Sequence, residues 1–347
     1  MPPTILGLDI GGANLKAATA DKRAVSVPFP LWKNKDALPA ALAELAAKFP
    51  DVDQFAVTMT GELCDCYQTK REGVAHILRS VRAAAHCHPV RVWGTDSRFH
   101  TVDEAVANHL TVAAANWHAL ATFAGGYVPG GPALLIDIGS TTSDIIPLVD
   151  GVPEPRGTTD PTRLESGELV YTGTRRTPLY ALVGENERRR LAPELFATSL
   201  DVYLLLGLVA DNPADGDTAD GRPATRDCAH ARLSRMFCGD PESVPRAQTE
   251  RLAAQCLETQ LESLDWAVRQ VLTRLRAAAS WDGGPRLPVS YLVSGSGEFL
   301  ARRLVDRLPH SPDHVLSLGD RLGPELSACA PAYAVAVLAS ERSDPRA

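Results

Sequence analysis

Two short segments of the chain carry residue types that bind phosphate groups. The first, DIGGANLK, begins at Asp9. Its glycines, Gly11 and Gly12, allow backbone N–H groups to approach a phosphate closely. Asp9 can hold Mg²⁺ directly or through water, while Asn14 and Lys16 add a donor and a positive charge. An ordinary hairpin with a glycine turn has the same composition, so this segment alone leaves both interpretations open.

The second segment, DIGSTTSD, repeats the order of the first between Asp137 and Asp144. A glycine turn at Gly139, four hydroxyl residues and two flanking carboxylates suit an oxyanion and its metal. The hydroxyl residues are Ser140, Thr141, Thr142 and Ser143. A solvated Ser/Thr-rich turn is the alternative interpretation. However, two turns with matching sequences in one chain are less easily explained by chance. They indicate an internal duplication of a strand–Asp-Ile-Gly–strand unit.

A third glycine pair, Gly295 and Gly297, separates a predicted strand at Val289–Val293 from a predicted helix at Glu298–Leu308. A strand, a glycine pair and a helix N-terminus together form a common site for a nucleotide or another anion. A plain connecting loop remains the alternative.

Four further groups of residues are candidates for the site. Glu62 follows a predicted strand at Gln54–Met59, so it can serve as a general base or as a helix cap. Arg175 and Arg176 can clamp a phosphate or a carboxylate, or stay solvated. Aspartates 211, 215, 217 and 220 form a polar loop or a metal site. Asn116 or His118 can reach the same cleft, whereas the spacing of Cys64 and Cys66 fits no common structural zinc site.

The pattern of apolar residues predicts the elements that position these groups. A three-stranded meander covers Thr4–Ile10, Leu15–Ala20 and Ala24–Pro28, and a second strand pair covers Ala133–Ile138 and Thr142–Leu148. Helices are predicted at Ala37–Lys48, Glu72–Ala85, Val112–Phe123 and Ala330–Ser340. The segment Gln248–Ala279 is long enough for two or more packed helices. Glycines and prolines between 125 and 132 indicate a domain boundary.

Length and composition restrict the class of protein. A chain of 347 residues is long enough for about two domains. Its net charge of −7 argues against nucleic acid as a partner, and no apolar run is long enough to span a membrane. The seven scattered cysteines are typical of reduced thiols, so a cytoplasmic α/β protein is expected.

In this order and spacing, the three motifs resemble the phosphate-1, phosphate-2 and adenosine motifs of the actin, sugar-kinase and Hsp70 superfamily. "DIGSTTSDIIP" is similar to the hydantoinase/oxoprolinase group. "TGELCD", "AAANWHALA", "GELVYTGTRRTP", "CAHARLSRM" and "LVSGSGEFLARRL" resemble the tetrahydromethanopterin-linked one-carbon-transfer pathway proteins, which include the methanofuran-biosynthesis condensing enzyme. The resemblance implies two ribonuclease-H-like α/β domains that flank a cleft, residues 1–128 and 129–347. The second domain would carry a helical insertion at about 157–283 and the C-terminal helix, and Asp9 and Asp137 would lie on opposite walls of the cleft.

The resemblance also implies a Mg²⁺-dependent transferase. A tyramine-type phenol would displace diphosphate from an aminomethylfuran-methyl diphosphate and form an ether. Asp9 and Asp137 would hold the metal, Lys16 and the glycine turns would hold the diphosphate, and Glu62 or Asp144 would take the phenolic proton. The expected partners are these small molecules, with a homo-oligomer also possible.

Two departures from nucleotide-using relatives disfavour ATP. Ala13 stands where the sugar-kinase pattern has threonine, and Lys16 occupies a strand position where many kinases have an apolar residue. An ATP-dependent kinase or hydantoinase-like hydrolase remains the first alternative, and a nucleotide-switched scaffold the second.

Overall fold

The computed structural model describes residues 3–278, 288–308 and 315–342. The strands are β1 (Ile5–Ile10), β2 (Asn14–Thr19), β3 (Ala24–Pro28), β4 (Gln54–Met59), β5 (Val90–Trp93), β6 (Phe99–His100), β7 (Pro132–Ile138), β8 (Ser143–Val149), β9 (Val152–Pro153), β10 (Leu169–Val170), β11 (Ser290–Ser294) and β12 (Val315–Ser317). The α-helices are α1 (Leu31–Asn34), α2 (Leu38–Ala46), α3 (Lys70–Ala85), α4 (Val102–Ala107), α5 (His109–Val112), α6 (Asn116–Gly125), α7 (Asp160–Ser166), α8 (Glu185–Arg188), α9 (Ser199–Leu205), α10 (Arg226–Met236), α11 (Arg246–Ala278), α12 (Glu298–Asp306), α13 (Leu318–Leu322), α14 (Pro324–Ala328) and α15 (Ala330–Glu341). Short 3₁₀ helices cover Lys35–Ala37 and Leu179–Leu182.

The first sheet has the strand order β3-β2-β1-β4-β5-β6. The strands β1, β2 and β3 are antiparallel neighbours, which confirms the predicted meander. The strands β4 and β5 extend the sheet in parallel with β1. Every residue of β1 is buried, as expected for a central strand that is covered on both faces.

The second sheet repeats this arrangement with the order β10-β8-β7-β11-β12, and β9 also pairs with β8. The strands β7 and β8 are antiparallel, while β11 and β12 run parallel to β7. The central strands β1 and β7 therefore occupy equivalent places, and each ends in the Asp-Ile pair of its motif. This topology confirms the predicted fold class: two ribonuclease-H-like α/β units of the actin, sugar-kinase and Hsp70 type.

Two helices connect the units by packing across them. On α6, Trp117 and Leu120 share a buried core with Leu135 of the second sheet. The backbone of α15 touches the first sheet at Gly7, where the Ala332 carbonyl leaves no room for a side chain. Thus a helix from before residue 129 covers the second sheet, and a helix from the far end of the described chain covers the first. The domain boundary between 128 and 129 stays a prediction.

The helical part of the second unit differs from the prediction in one respect. The region that begins at Gln248 forms one continuous helix, α11, which has 33 residues, rather than two or more helices. Neither glycine nor proline interrupts it, so nothing in its sequence forces a turn. Residue 279 and the predicted end of the insertion at 283 lie outside the described residues. Among the described residues, no helix has the length and apolar content needed to cross a bilayer.

The predicted helix at Val112–Phe123 is wrong at its start. The chain forms α5 first and then starts α6 at Asn116. Ala114, between the two helices, has a positive φ of 49°, which interrupts the helical backbone.

Candidate active site

The first glycine turn lies between β1 and β2, and it brings together Asp9 and Lys16. The two residues face each other in antiparallel register. The Lys16 ammonium is 4.0 Å from Asp9 Oδ2, whereas the buried Asp9 Oδ1 has no hydrogen-bond partner among the described residues. Burial raises the pKa of Asp9 and Lys16 lowers it. Asp9 is therefore a buried carboxylate with one oxygen available for a further cation.

The backbone of this turn is closed by the amide of Gly11, which donates to the Asn14 carbonyl at 3.0 Å. Gly12 lies against the Cys64 sulfur. The amides of Gly12 and Ala13 donate to no acceptor within the described chain. They are free to donate to an anion at the mouth of the turn, as the sequence predicts.

The second glycine turn has the same closure, because the amide of Gly139 donates to the Thr142 carbonyl at 2.9 Å. The Ser140 carbonyl in this turn accepts hydrogen bonds from the backbone amides of Arg175 and Arg176 at 2.9 and 3.1 Å. Across the described residues, the amides of Ser140 and Thr141 donate to no acceptor. The hydrogen bonds from Arg175 and Arg176 therefore stabilise this turn, and the amides of Ser140 and Thr141 remain free to donate to an anion.

Asp137, at the carboxyl end of β7, is only partly buried. It faces Asp144 on β8 and Ser294 on β11. Its pKa is raised to about 6, mainly by loss of hydration and then by the charge of Asp144, while Ser294 and Lys16 lower it and Asp9 raises it slightly. Since Asp9 and Lys16 influence Asp137 electrostatically, the two central strands bring their motif aspartates to one site.

Asp144 is less available than the sequence suggests. Its carboxylate accepts a hydrogen bond from Arg163 Nη2 at 2.7 Å, and both side chains are buried. The guanidinium of Arg163 also stacks 3.9 Å from the ring centre of Trp117. Burial raises the pKa of Asp144, and Arg163 lowers it. Asp144 is therefore engaged in a buried ion pair.

Glu62 is the other candidate base, and it is 1% exposed. Burial raises its pKa to about 7 against the opposing effects of its own backbone amide and of Lys70. Lys70 Nζ lies 4.0 Å from Glu62 Oε1 and 2.6 Å from Asp160 Oδ2, so it links α3 to α7. Glu62 Oε2 has no hydrogen-bond partner in the described part of the chain. A carboxyl that titrates near neutrality with a free oxygen is suited to accept a proton.

The third glycine pair packs against the end of β7. Gly295 has a φ of +88°, and a Cβ there would lie 2.7 Å from Asp137 Oδ1. A Cβ on Gly297 would meet the side chains of Ile138 and Thr174. Both glycines are thus required by close packing. Ser296, between them, faces the cleft and its hydroxyl lies 2.9 Å from the Thr174 hydroxyl.

A cleft of about 710 Å³ opens beyond the three turns. Next to the glycine turns it is lined by Ala13, Asn14, Ser140, Thr174 and Ser296. The remaining charged and aromatic lining, called the outer part below, contains Trp32 and Lys33 from the first unit, and Arg175, Arg176, Asp215 and Asp217 from the second. The volume lies in the range of small-molecule sites.

The remaining candidates lie elsewhere or have protein partners. Among the described residues, no group of three or more His, Cys, Asp and Glu side chains is placed to hold a metal. Asp211 accepts a hydrogen bond from the backbone amide of Arg226, and Asp220 accepts from the guanidinium groups of Arg232 and Arg235. His118 is buried beside Trp93, which donates to it at 3.3 Å, and burial lowers its pKa to about 4. His118 therefore belongs to the core rather than to the cleft.

Comparison with known proteins assigns the family. The hydantoinase/oxoprolinase family model matches residues 53–340. The chain belongs to the hydantoinase/oxoprolinase family. It is 33% identical, over 98% of both chains, to (4-{4-[2-(gamma-L-glutamylamino)ethyl]phenoxymethyl}furan-2-yl)methanamine synthase of Methanocaldococcus jannaschii. A protein of the same name from Methanococcus vannielii is 27% identical over 59% of this chain and 89% of its own length.

A solved structure of acetone carboxylase without nucleotide has a similar fold. It is 10% identical, with a TM-score of 0.55, and the match covers 97% of this chain and 70% of that one. At this identity the likeness concerns the fold alone. It agrees with the two-unit architecture of this member of the hydantoinase/oxoprolinase family.

Several residues of the site are not evident from the sequence of this family member. Arg163 and Lys70 pair with carboxylates that are distant along the chain, so no local pattern identifies them. Trp32 is one of the exposed large hydrophobic residues, and it lies two residues after a proline. An exposed large aromatic residue in a short helix next to polar residues is a weak signal for a ligand surface.

Proposed function

We propose that this protein joins a tyramine-type phenol to an aminomethylfuran-methyl diphosphate and releases pyrophosphate. The observation that carries the proposal is the match over nearly the full length of the M. jannaschii synthase, whose name contains a phenoxymethyl link to a furan. The bond between the methylene carbon and the diphosphate breaks, a bond from the phenol oxygen to that carbon forms, and the phenolic proton passes to a base. Because a furan delocalises positive charge at this carbon, the main demands are to stabilise the leaving group and exclude water.

The two glycine turns and Lys16 would hold the diphosphate. The unpartnered amides of Gly12, Ala13, Ser140 and Thr141 provide donors on both walls of the site. Lys16 provides a positive charge close to Asp9. This part of the proposal needs no nucleotide.

Asp9 and Asp137 would hold Mg²⁺, and their environment fits such an ion. Asp9 has an unpartnered buried oxygen, and both carboxyls have a pKa raised by burial, which a divalent cation would reverse. When bound, Mg²⁺ would neutralise the charge that develops on the departing diphosphate. The chain itself supplies two carboxylates at the ends of equivalent strands, so the remaining ligands would come from water and substrate.

Of the two candidate bases, we favour Glu62 over Asp144. Glu62 has a free oxygen and a pKa near 7, whereas Asp144 is paired with Arg163. A phenol is a weak acid, so a base that accepts a proton near neutral pH is required.

The experiment is to incubate the purified protein with N-(γ-glutamyl)tyramine, the aminomethylfuran-methyl diphosphate and Mg²⁺, without ATP. Mass spectrometry should detect the ether, and a coupled assay should detect an equal amount of pyrophosphate. Absence of the ether would refute the proposal. The ATP-dependent alternative instead predicts turnover that requires ATP and releases ADP.

A further inference from the structure

We infer that the outer part of the cleft binds the α-amino acid head of a γ-glutamyl phenol, with Arg176 contacting its carboxylate and Asp217 its ammonium group. The inference rests on the proposed function, because the γ-glutamyl group comes from the name of the M. jannaschii relative. It assigns specificity for the acceptor to residues that are separate from the diphosphate site.

The first support is the ion pair between Arg175 and Asp215, in which both carboxylate oxygens already accept hydrogen bonds. This pair fixes the loop that contains Asp217. Both oxygens of Asp215 accept from the Arg175 guanidinium, one of them at 3.4 Å. Arg175 also donates to the Asp217 carbonyl at 3.0 Å. The amide of Asp217 donates to Asp215 Oδ1 at 3.0 Å. These bonds hold Asp217 at the cleft.

The second support is that the side chains of Arg176 and Asp217 lie next to each other but form no hydrogen bond with each other. Arg176 Nη2 is 3.8 Å from Asp217 Oδ2, which is longer than a hydrogen bond. The side chain of Asp217 is 64% exposed and that of Arg176 is 32% exposed. A ligand can therefore reach both charges, and an amino acid head presents one group of each sign.

The balance of charge distinguishes this ligand from a diphosphate. The two arginines of the outer cleft are matched by Asp215 and Asp217, and Lys33 is a further cation in the lining. A diphosphate placed there would meet two carboxylates, whereas a zwitterion has a partner for each of its charges. The inner turns also carry two carboxylates, Asp9 and Asp137, but there a diphosphate would bind through the free amides, Lys16 and the proposed Mg²⁺.

The third support is the position of the aromatic surface. The Arg176 guanidinium lies 5.1 Å from the ring centre of Trp32. Pro28 and Pro30 continue this wall, and Leu200 and Val209 line the cleft as well. A phenyl ring can pack here while its amino acid head meets the charges beside Trp32. The backbone of Arg176 is bonded to the second glycine turn, so the head site and the diphosphate site belong to one cleft.

The test compares three phenols that differ only in the head. N-(γ-glutamyl)tyramine has both charges, N-glutaryltyramine lacks the ammonium group, and N-(4-aminobutanoyl)tyramine lacks the carboxylate. The wild-type protein should favour the first over each of the others by about tenfold in kcat/KM, as expected for hydrogen bonds to charged groups. Asp217→Asn should abolish the preference over the glutaryl compound only, and Arg176→Gln the preference over the aminobutanoyl compound only.

This crossed pattern identifies direct contact, since a merely structural effect would lower all three values together. Asp227→Asn and Arg246→Gln are matched controls, because these residues form an exposed pair at 3.0 Å outside the cleft. Both controls should keep the wild-type ratios. The inference is overturned if Asp217→Asn and Arg176→Gln also keep these ratios or lower all three values equally.

Binding of N-(γ-glutamyl)tyramine alone, measured by calorimetry, separates this inference from the proposed function. One outcome is that the wild-type protein forms no ether but binds this compound, and that each cleft variant weakens binding about tenfold. This outcome would support the binding site for the amino acid head and refute the proposed reaction. If ether forms but the variants behave as wild type, the reaction stands and the head site is refuted. Absence of both binding and turnover refutes both.

Discussion

Replacing Asp137 by asparagine should stabilise the protein at neutral pH while lowering its turnover. The pKa of Asp137 is raised from its ordinary 3.8 to about 6, so folding disfavours the ionised carboxylate. A shift of about two units corresponds to about 3 kcal/mol, and partial exposure reduces this to about 1–2 kcal/mol. Asparagine has a similar shape without the charge, so the variant should gain this amount at pH 7–8.

The raised pKa of Asp137 also determines whether its effect on stability is favourable or unfavourable as the pH rises. A raised carboxyl pKa means that the folded protein binds more protons than the unfolded chain between pH 3.8 and about 6. Ionisation of Asp137 therefore lowers the stability of the wild-type protein as the pH rises through this window, and the Asp137→Asn variant lacks this contribution. Urea denaturation should show a gap of about 1–2 kcal/mol at pH 7.5 that closes as the pH approaches 4.

Turnover should change in the opposite direction. If Asp137 holds Mg²⁺ beside the leaving group, the loss of a full charge should lower kcat about a hundredfold, or about 2.7 kcal/mol. Asp227→Asn, an exposed control, should alter neither quantity. A variant that is no more stable at pH 7.5 would contradict the burial argument. A variant with near-normal kcat would contradict the metal assignment.

Three further changes test other parts of the site. If Glu62 is the base, kcat of the wild type should rise with pH near 7 and Glu62→Gln should remove this rise; a profile of the variant that still rises there would exclude Glu62 as the base. Asp144→Asn leaves Arg163 buried without its anion, so we expect a loss of about 3–5 kcal/mol in urea denaturation; a loss below about 1 kcal/mol would show that Arg163 finds other partners. Gly297→Ala forces a methyl group against Ile138 and should cost about 1–3 kcal/mol, with a lower melting temperature; an unchanged melting temperature would show that the loop relaxes freely.

The sequence predicts the fold and the centre of the site because their signals are local. Each Asp-Ile-Gly segment follows an apolar strand, so the strand ends that carry Asp9 and Asp137 are identifiable from periodicity and from the repeat itself. Pairing between distant segments has no such signal. The bond of Arg163 to Asp144 and that of Arg175 to Asp215 depend on tertiary packing. For this reason the sequence leaves the availability of Asp144 and the ligand of the arginine pair open.

The exchange of helices between the two units has a consequence for synthesis of the protein. The face of β1 that carries Gly7 is covered by residues 330–341, which the ribosome adds some three hundred residues later. Until then the first sheet exposes an apolar face, which makes a nascent chain prone to aggregation and a substrate for chaperones. A chain truncated before α15 would lack this cover on the sheet that positions Asp9. Assembly of the candidate active site is therefore coupled to translation of α15, the last helix of the described chain.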